Sequence, residues 1–257
     1  MSQTNDPMID PLVVVSFRNA ISPRASRSAM LCVCDQGSDE WHRARLGIPT
    51  GSNAGLIVTP NGKMRDSESM RKYAVELAME RVYGRDMDVF QSRDLERGTE
   101  QEPLARDLYA QRLPKGTTVE QVGFVYRDDT RTHGQSPDGC VVSKREFGLL
   151  EIKCRARSAM ANALLSNPVA VPVGEMAQMQ FGMWVTGAAW CDYVVYFHAY
   201  DPIILVQRVV VDPAMHEGFA AAVPEFCKLV DRWEEVIRLR IIESRPAAVA
   251  RIKEMAK

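Results

Sequence analysis

The stretch from Ser136 to Cys154 constrains the fold more than any other part of this 257-residue chain. Ser136-Pro137-Asp138-Gly139 is a turn that opens a strand, since proline presets one backbone angle and glycine relaxes the next. Residues Ser143 to Phe147 form a polar turn, so 139–154 predict a β-hairpin that brings Asp138 and Glu151 near each other. The strand period of two puts Leu149, Glu151 and Lys153 on one face, and Leu150, Ile152 and Cys154 on the other. An acid and a lysine therefore share one face of an otherwise apolar strand.

Helical signals dominate before the hairpin. A short helix spans about Asp39 to Arg45, followed by a loop, Gly47 to Ser52, and a helix that opens near Ser52 or Asn53, both good N-caps. Longer helices are expected over Ser67 to Tyr83 and Asp94 to Gln111. From Gly123 the pattern turns to β-rich runs: Gly123 to Arg127, Gly139 to Val142, Leu149 to Cys154, Asp192 to Tyr200 and Ile203 to Val211. Between the third and fourth lies Gly174 to Val185, a helix apolar almost all round, and a last helix runs from Pro213 to Glu243. This order predicts a mixed α/β domain, a central mixed β-sheet flanked by helices. The domain is expected over 35–243, with 244–257 a C-terminal tail. Residues 1–34 show no sustained apolar period and read as a disordered tail with Met30 an internal start, so a chain beginning at Met30 or Cys34 is expected to fold and act like the whole.

Charge gives no global sign of a nucleic-acid partner. Lys plus Arg (32) nearly equals Asp plus Glu (33), for a net charge of −1, but carboxylates around a site can mask a local basic channel. The cysteines at 32, 34, 140, 154, 191 and 227 lack CxxC pairs and read as reduced thiols. No apolar run approaches the roughly 20 residues that span a bilayer, so the expectation is a soluble, cytoplasmic protein with no membrane partner.

Buried charges are costly unless they are paired or hold an ion. Asp138 and Glu151 offer hard oxygen ligands for Mg²⁺ or Mn²⁺, and Lys153 can orient or deprotonate a water, or stabilise charge on a phosphate. Taken alone, such a pattern also fits an exposed strand face with a cross-strand ion pair. Two further polar residues point inward. On the 94–111 helix the stripe Leu95, Gly98, Glu102, Ala105 and Tyr109 is apolar except for Glu102. On the 174–185 helix Gln180 is flanked by Met176, Met183 and Trp184 and needs a partner.

In order along the chain, these pieces resemble the lambda exonuclease family of phage recombination nucleases (YqaJ-like viral recombinases), within the restriction-endonuclease-like superfamily. The matching stretches are Gln36 to Trp41 with Arg45-Leu46-Gly47, Gly98 to Glu102, Ser136 to Gly139, Leu150 to Cys154, and Ala177 to Gln180 with Met183 to Thr186. The resemblance implies that Asp138, Glu151 and the Ile152 carbonyl are metal ligands at a site for two ions, with Lys153 the catalytic lysine. It implies Glu102 beside the second metal, directly or through water, and Gln180 positioning the attacking water or phosphate. Arg45, Thr50 and Ser52 look like a pocket for a terminal 5′-phosphate, a guanidinium fork and hydroxyls suiting phosphate oxygens. Arg155 and Arg157 are the expected DNA-gripping residues after the catalytic strand, although the family places an arginine slightly later, where this chain has Ala159.

The same resemblance implies a 5′-to-3′ exonuclease on ends of linear double-stranded DNA, leaving 3′ overhangs, a trimeric ring, and a single-strand-annealing partner. The rival readings are another nuclease of the superfamily, restriction or repair, and a DNA-binding scaffold that has lost catalysis. An iron–sulfur repair nuclease needs four cluster cysteines with closely spaced C-terminal members, which this chain lacks. An inactive scaffold would show a broken Asp, Glu or Lys, and all three are intact.

Overall fold

The expected hairpin forms, with Gly139–Val142 and Phe147–Cys154 paired antiparallel from Gly139↔Leu150 to Val142↔Phe147. The computed structural model describes residues 12–85, 93–166, 169–199 and 201–255. In chain order the elements are β1 (Val14–Ser16), α1 (Phe17–Ala20), β2 (Met30–Cys32), α2 (Asp39–Arg45), a 3₁₀ turn at Gly51–Asn53, α3 (Ala54–Ile57), α4 (Glu68–Tyr83) and α5 (Arg93–Ala110). They continue with β3 (Thr118–Glu120), β4 (Phe124–Tyr126), β5 (Gly134–Gln135), β6 (Gly139–Val142), β7 (Phe147–Cys154), a 3₁₀ turn at Arg157–Ala159, α6 (Met160–Leu165), α7 (Val173–Thr186), β8 (Trp190–Phe197), β9 (Ile203–Val210) and α8 (Pro213–Met255).

The larger sheet has strand order β3-β6-β7-β8-β9, in which only β7 and β8 run parallel. A parallel neighbour demands a crossover, and α7 lies in the segment that joins the two strands. The alternation of β7 then separates two cores. Leu149 joins Met179, Phe181, Tyr193 and Val195 on the side of α7, whereas Leu150 and Ile152 pack with Ala105 and Tyr109 of α5 on the other. Because α7 is wedged between this sheet, β5 and α8, it can be apolar almost all round. It ends one residue past the expected Val185: Gly187 takes a left-handed φ of 77° and its N–H closes on the Met183 carbonyl. Ser67 caps α4, its side chain accepting from Met70 N. Among the described residues no helix is long and apolar enough to cross a membrane.

Two boundaries differ from the sequence reading. The expected N-terminal tail is ordered over its described part: β1 and β2 form a second, antiparallel sheet with β4 and β5, in the order β1-β2-β4-β5. The Leu31↔Val125 pairing of β2 with β4 is set by residues far apart in the chain, and three-residue strands are too short to display a period. Phe17 is 0% exposed and meets Phe147 edge to face at 5.8 Å, while Ser26 N–H donates to the Thr186 carbonyl at 2.8 Å. The start of the domain therefore lies before residue 35. At the other end, α8 continues through the expected tail as far as Met255, because Ala, Arg, Lys, Glu and Met are good helix formers without any apolar stripe.

This corrected boundary makes a testable statement. Phe17→Ala should destabilise the protein by about 3–5 kcal/mol, the usual loss for a buried phenylalanine, measured by urea unfolding. A chain starting at Met30, stripped of β1 and Phe17, should lose more. A change below about 1 kcal/mol for Phe17→Ala would return the segment to the status of a tail.

Candidate active site

Asp138 sits one step before the first pair of the hairpin, so the register carries it opposite Glu151. Its Oδ2 accepts from the Ile152 N–H at 2.6 Å, which locks the Pro-Asp-Gly turn onto β7. Glu151 is 2% exposed, and its Oε1 accepts from Lys153 Nζ at 2.6 Å. The predicted shared face is therefore real. Lys153 Nζ also donates to Gln178 Oε1 of α7, at 3.3 Å.

Glu102 arrives from α5, on the opposite side of the sheet, where its carboxylate is paired with Arg106. Arg106, only 8% exposed, also donates from Nε to the Asp138 carbonyl at 2.7 Å, so one guanidinium ties α5 to the turn. Burial drives the electrostatics of all three acids. It pushes Glu151 up to about 8 and Glu102 up to about 7, each raised further by the charge of Asp138. Asp138 is likewise raised by burial, against the pull of Lys153. Burial opposes the Lys153 ammonium too, but Glu151 and Asp138 outweigh it and hold the lysine charged. Even with an ammonium and a guanidinium beside them, the acids remain short of positive charge.

That shortage is the argument for a cation. Among the described residues no three Asp, Glu, His or Cys side chains form a ready-made metal cage, because Lys153 and Arg106 occupy part of the carboxylates' bonding capacity. The side-chain donors are nevertheless all hard oxygen, from Asp138, Glu151 and Glu102, and suit Mg²⁺ or Mn²⁺ rather than a softer ion.

Arg45, Thr50 and Ser52 do come together, lining with Gln36, Trp41, Ser136, Asp138 and Gln178 a cavity of about 140 Å³. Arg45 lies over the Trp41 ring, 4.0 Å from its centroid, and Trp41 Nε1 donates to Ser136 Oγ at 2.6 Å. Gln36 Nε2 donates to the carbonyls of Val122 and Pro137, at 2.8 and 2.9 Å, bracing the turn from the other side. The Gln135 amide packs closely on the turn here: a Cβ on Gly51 would fall 1.8 Å from Gln135 Oε1, so a larger residue would push that side chain aside.

Gln180 does not belong to this group. It is 1% exposed, its Nε2 donates to the Val210 carbonyl at 2.8 Å, and its Oε1 accepts from Asp212 N at 2.9 Å, so it staples the end of β9 to α7. Residues two apart on a helix point in different directions, and it is Gln178 that faces Lys153. Gln178 and Arg106 are the two site residues that the pattern missed. Arg155 is also engaged elsewhere, paired with Glu175 and within 3.4 Å of the Tyr193 hydroxyl. The side chain of Arg157 lies outside the described residues.

Residues 40–189 match the YqaJ-like viral recombinase domain. The chain belongs to that family. Among solved structures it is similar to an alkaline exonuclease, LHK-Exo, from Laribacter hongkongensis, with 28% identity and a TM-score of 0.67 over 80% of this chain and 99% of that one. The same enzyme in complex with dAMP matches at 28% identity, with a TM-score of 0.66 over the same shares, 80% and 99%. A phage-related exonuclease from Haemophilus somnus 129PT, at 14% identity and a TM-score of 0.51 over 76% of this chain and 96% of that one, shares the fold. No curated protein matches the chain. The YqaJ-like fold is thus the restriction-endonuclease-like one, and all of β6, β7 and α7 lie inside the matched stretch.

The two glutamines separate by their readouts. Gln178→Ala should lower turnover by on the order of 10-fold or more with little change in stability, whereas Gln180→Ala should cost about 1–3 kcal/mol by leaving buried backbone groups unpaired. Paired unfolding and single-turnover measurements decide it, and the reverse pattern would restore Gln180 to the site.

Proposed function

We propose that the chain is a metal-dependent exonuclease that digests linear double-stranded DNA from its 5′ ends, leaving 3′ overhangs for phage-type homologous recombination. The observation that carries this reading is the inward pair Glu151 and Lys153 on the central strand, facing Asp138 across the hairpin. A structural ion pair alone would not need a third, unneutralised acid beside it. Membership of the YqaJ-like family and likeness to alkaline exonucleases support the same conclusion.

The residues divide the work by their chemistry. Asp138, Glu151 and the Ile152 carbonyl would hold the first cation and Glu102 a second, directly or through a water. A divalent cation supplies Lewis acidity at the phosphate and lowers the pKa of the attacking water. Lys153, fixed by Glu151 and Gln178 and held charged by the neighbouring acids, presents an ammonium to the charge that grows on the non-bridging oxygens. Arg106 holds Glu102 and the Asp138 backbone in their places. Arg45, Thr50 and Ser52, in the adjoining cavity, would bind the terminal 5′-phosphate and so fix the register of the cut. A trimeric ring around the duplex and a single-strand-annealing partner complete the proposal, on family likeness alone.

Linear duplexes labelled at either end, carrying 5′-phosphate or 5′-hydroxyl, test the reading beside a closed circle. Digestion should require Mg²⁺ or Mn²⁺, start at the 5′-phosphate end and spare the circle. Chelator and Asp138→Ala should each abolish it. Lys153→Met, which keeps the aliphatic stem, should slow single-turnover cleavage by about 10²-fold or more while duplex affinity in Ca²⁺ changes far less. Full activity of either variant would overturn the site, and cutting of the circle would favour an endonuclease.

A further inference from the structure

Several arginines on the described surface are matched by an acid: Arg43 by Glu40, Arg71 by Asp66, Arg81 by Asp231, Arg238 by Glu234. At the C-terminal end of α7 two arginines share one space without such a match. Arg24 and Arg127 line one cavity of about 450 Å³ with Ser26, Trp184 and His216, and neither meets a carboxylate among the described residues. Neutral groups hold them instead. Arg24 donates from Nε and Nη2 to the Lys144 carbonyl at 3.3 and 3.0 Å, and Arg127 donates from Nη1 to the hydroxyls of Ser26 and Ser28 at 3.2 and 3.1 Å. The Arg127 guanidinium also stands 5.2 Å from the centroid of the Trp184 ring.

Carbonyls, hydroxyls and an aromatic ring orient a guanidinium without cancelling its charge, which leaves two like charges facing one space. His216 lines the same cavity, and burial keeps its imidazole below its ordinary pKa, so it adds no charge to that of the two arginines. Such a cavity is built for an oxyanion with several acceptor oxygens.

We propose that Arg24 and Arg127 form a second phosphate-binding site, distinct from the catalytic cavity, that grips the sugar–phosphate backbone of a DNA strand. Its position favours nucleic acid over an acidic protein. Gln178 and Trp184 lie six residues apart on α7, about 9 Å along its axis, so the second site stands within a few nucleotides of Lys153. His133, stacked on Trp184 at 5.1 Å, is two residues from Gln135, which lines the catalytic cavity. A strand engaged at Asp138 can reach both. The ordered N-terminal segment supplies Arg24, Ser26 and Ser28, which gives β1, α1 and the following loop a role in substrate binding.

The inference rests on the nuclease reading, and its test is chosen to fail separately. Binding of a fluorescent duplex with a single-stranded overhang would be measured in Ca²⁺ across a salt series, for the wild type, Arg24→Gln, Arg127→Gln and the double variant. Loss of two strand contacts should weaken binding of the double variant by about 10-fold and flatten the log–log salt slope by about 1.4, at roughly 0.7 per phosphate. The cleavage defect should fall mainly on KM, and Arg24→Lys should restore most of the binding. Arg24 is exposed, so Arg24→Gln keeps the test valid if the double variant does not fold. Unchanged affinity and slope would overturn the proposal, whether the patch serves an acidic protein or no partner. Stabilisation by inorganic phosphate alone, without any effect of the substitutions on DNA binding, would mark a free-anion site and overturn it as well. If Lys153→Met cuts normally while these binding changes appear, the catalytic assignment fails and the second site stands.

Discussion

The hydrogen bond from the Ile152 N–H to the Asp138 carboxylate fixes everything built around it. It sets the turn against β7, and with the turn it sets which side chain stands opposite Glu151. A one-residue slip of β6 against β7 would send Glu151 and Lys153 to the α5 side and Ile152 into their place. The buried pair would then meet Ala105 and Tyr109 and lose the Gln178 amide that now holds Lys153. Register and chemistry are one constraint here.

Helices on both faces follow from the same strand. Its charged face needs α7 to bring an amide to Lys153, and its apolar face needs α5, which in turn delivers Glu102 and Arg106 around the edge of the turn. The three acids thus come from two sides of one sheet and meet only because the turn joins them. Their demand for positive charge is met in part by Lys153 and Arg106, a compromise that keeps the apoprotein folded while leaving room for a cation.

The hairpin, the strand faces and the crossover helix were legible because each shows a period long enough to read: β7 alternates over eight residues and α7 is apolar over fourteen. Glu102 was legible as the one charge on an apolar stripe. Gln178 was not, since a helix buried on nearly every side has no single inward face, and an amphipathic argument cannot choose between two glutamines two positions apart. Arg106 escaped for a different reason, because its value lies in a carbonyl contact that no side-chain pattern encodes. The N-terminal sheet was missed because strands of three residues owe their existence to distant partners, not to their own composition.

The pairing of β2 with β4 bears on how the chain is made. Leu31 leaves the ribosome well before Val125, roughly ninety residues ahead of its partner at a pace of about 5–20 residues per second. For those seconds the β1–β2 ribbon has an unpaired edge, and Phe17, which belongs against Phe147, has nowhere to hide. Long-range closure of this kind is slow and leaves apolar surface open to aggregation. The segment from Val14 to Cys32 is therefore a part of the nascent protein that waits long for its partners and gains from a chaperone meanwhile.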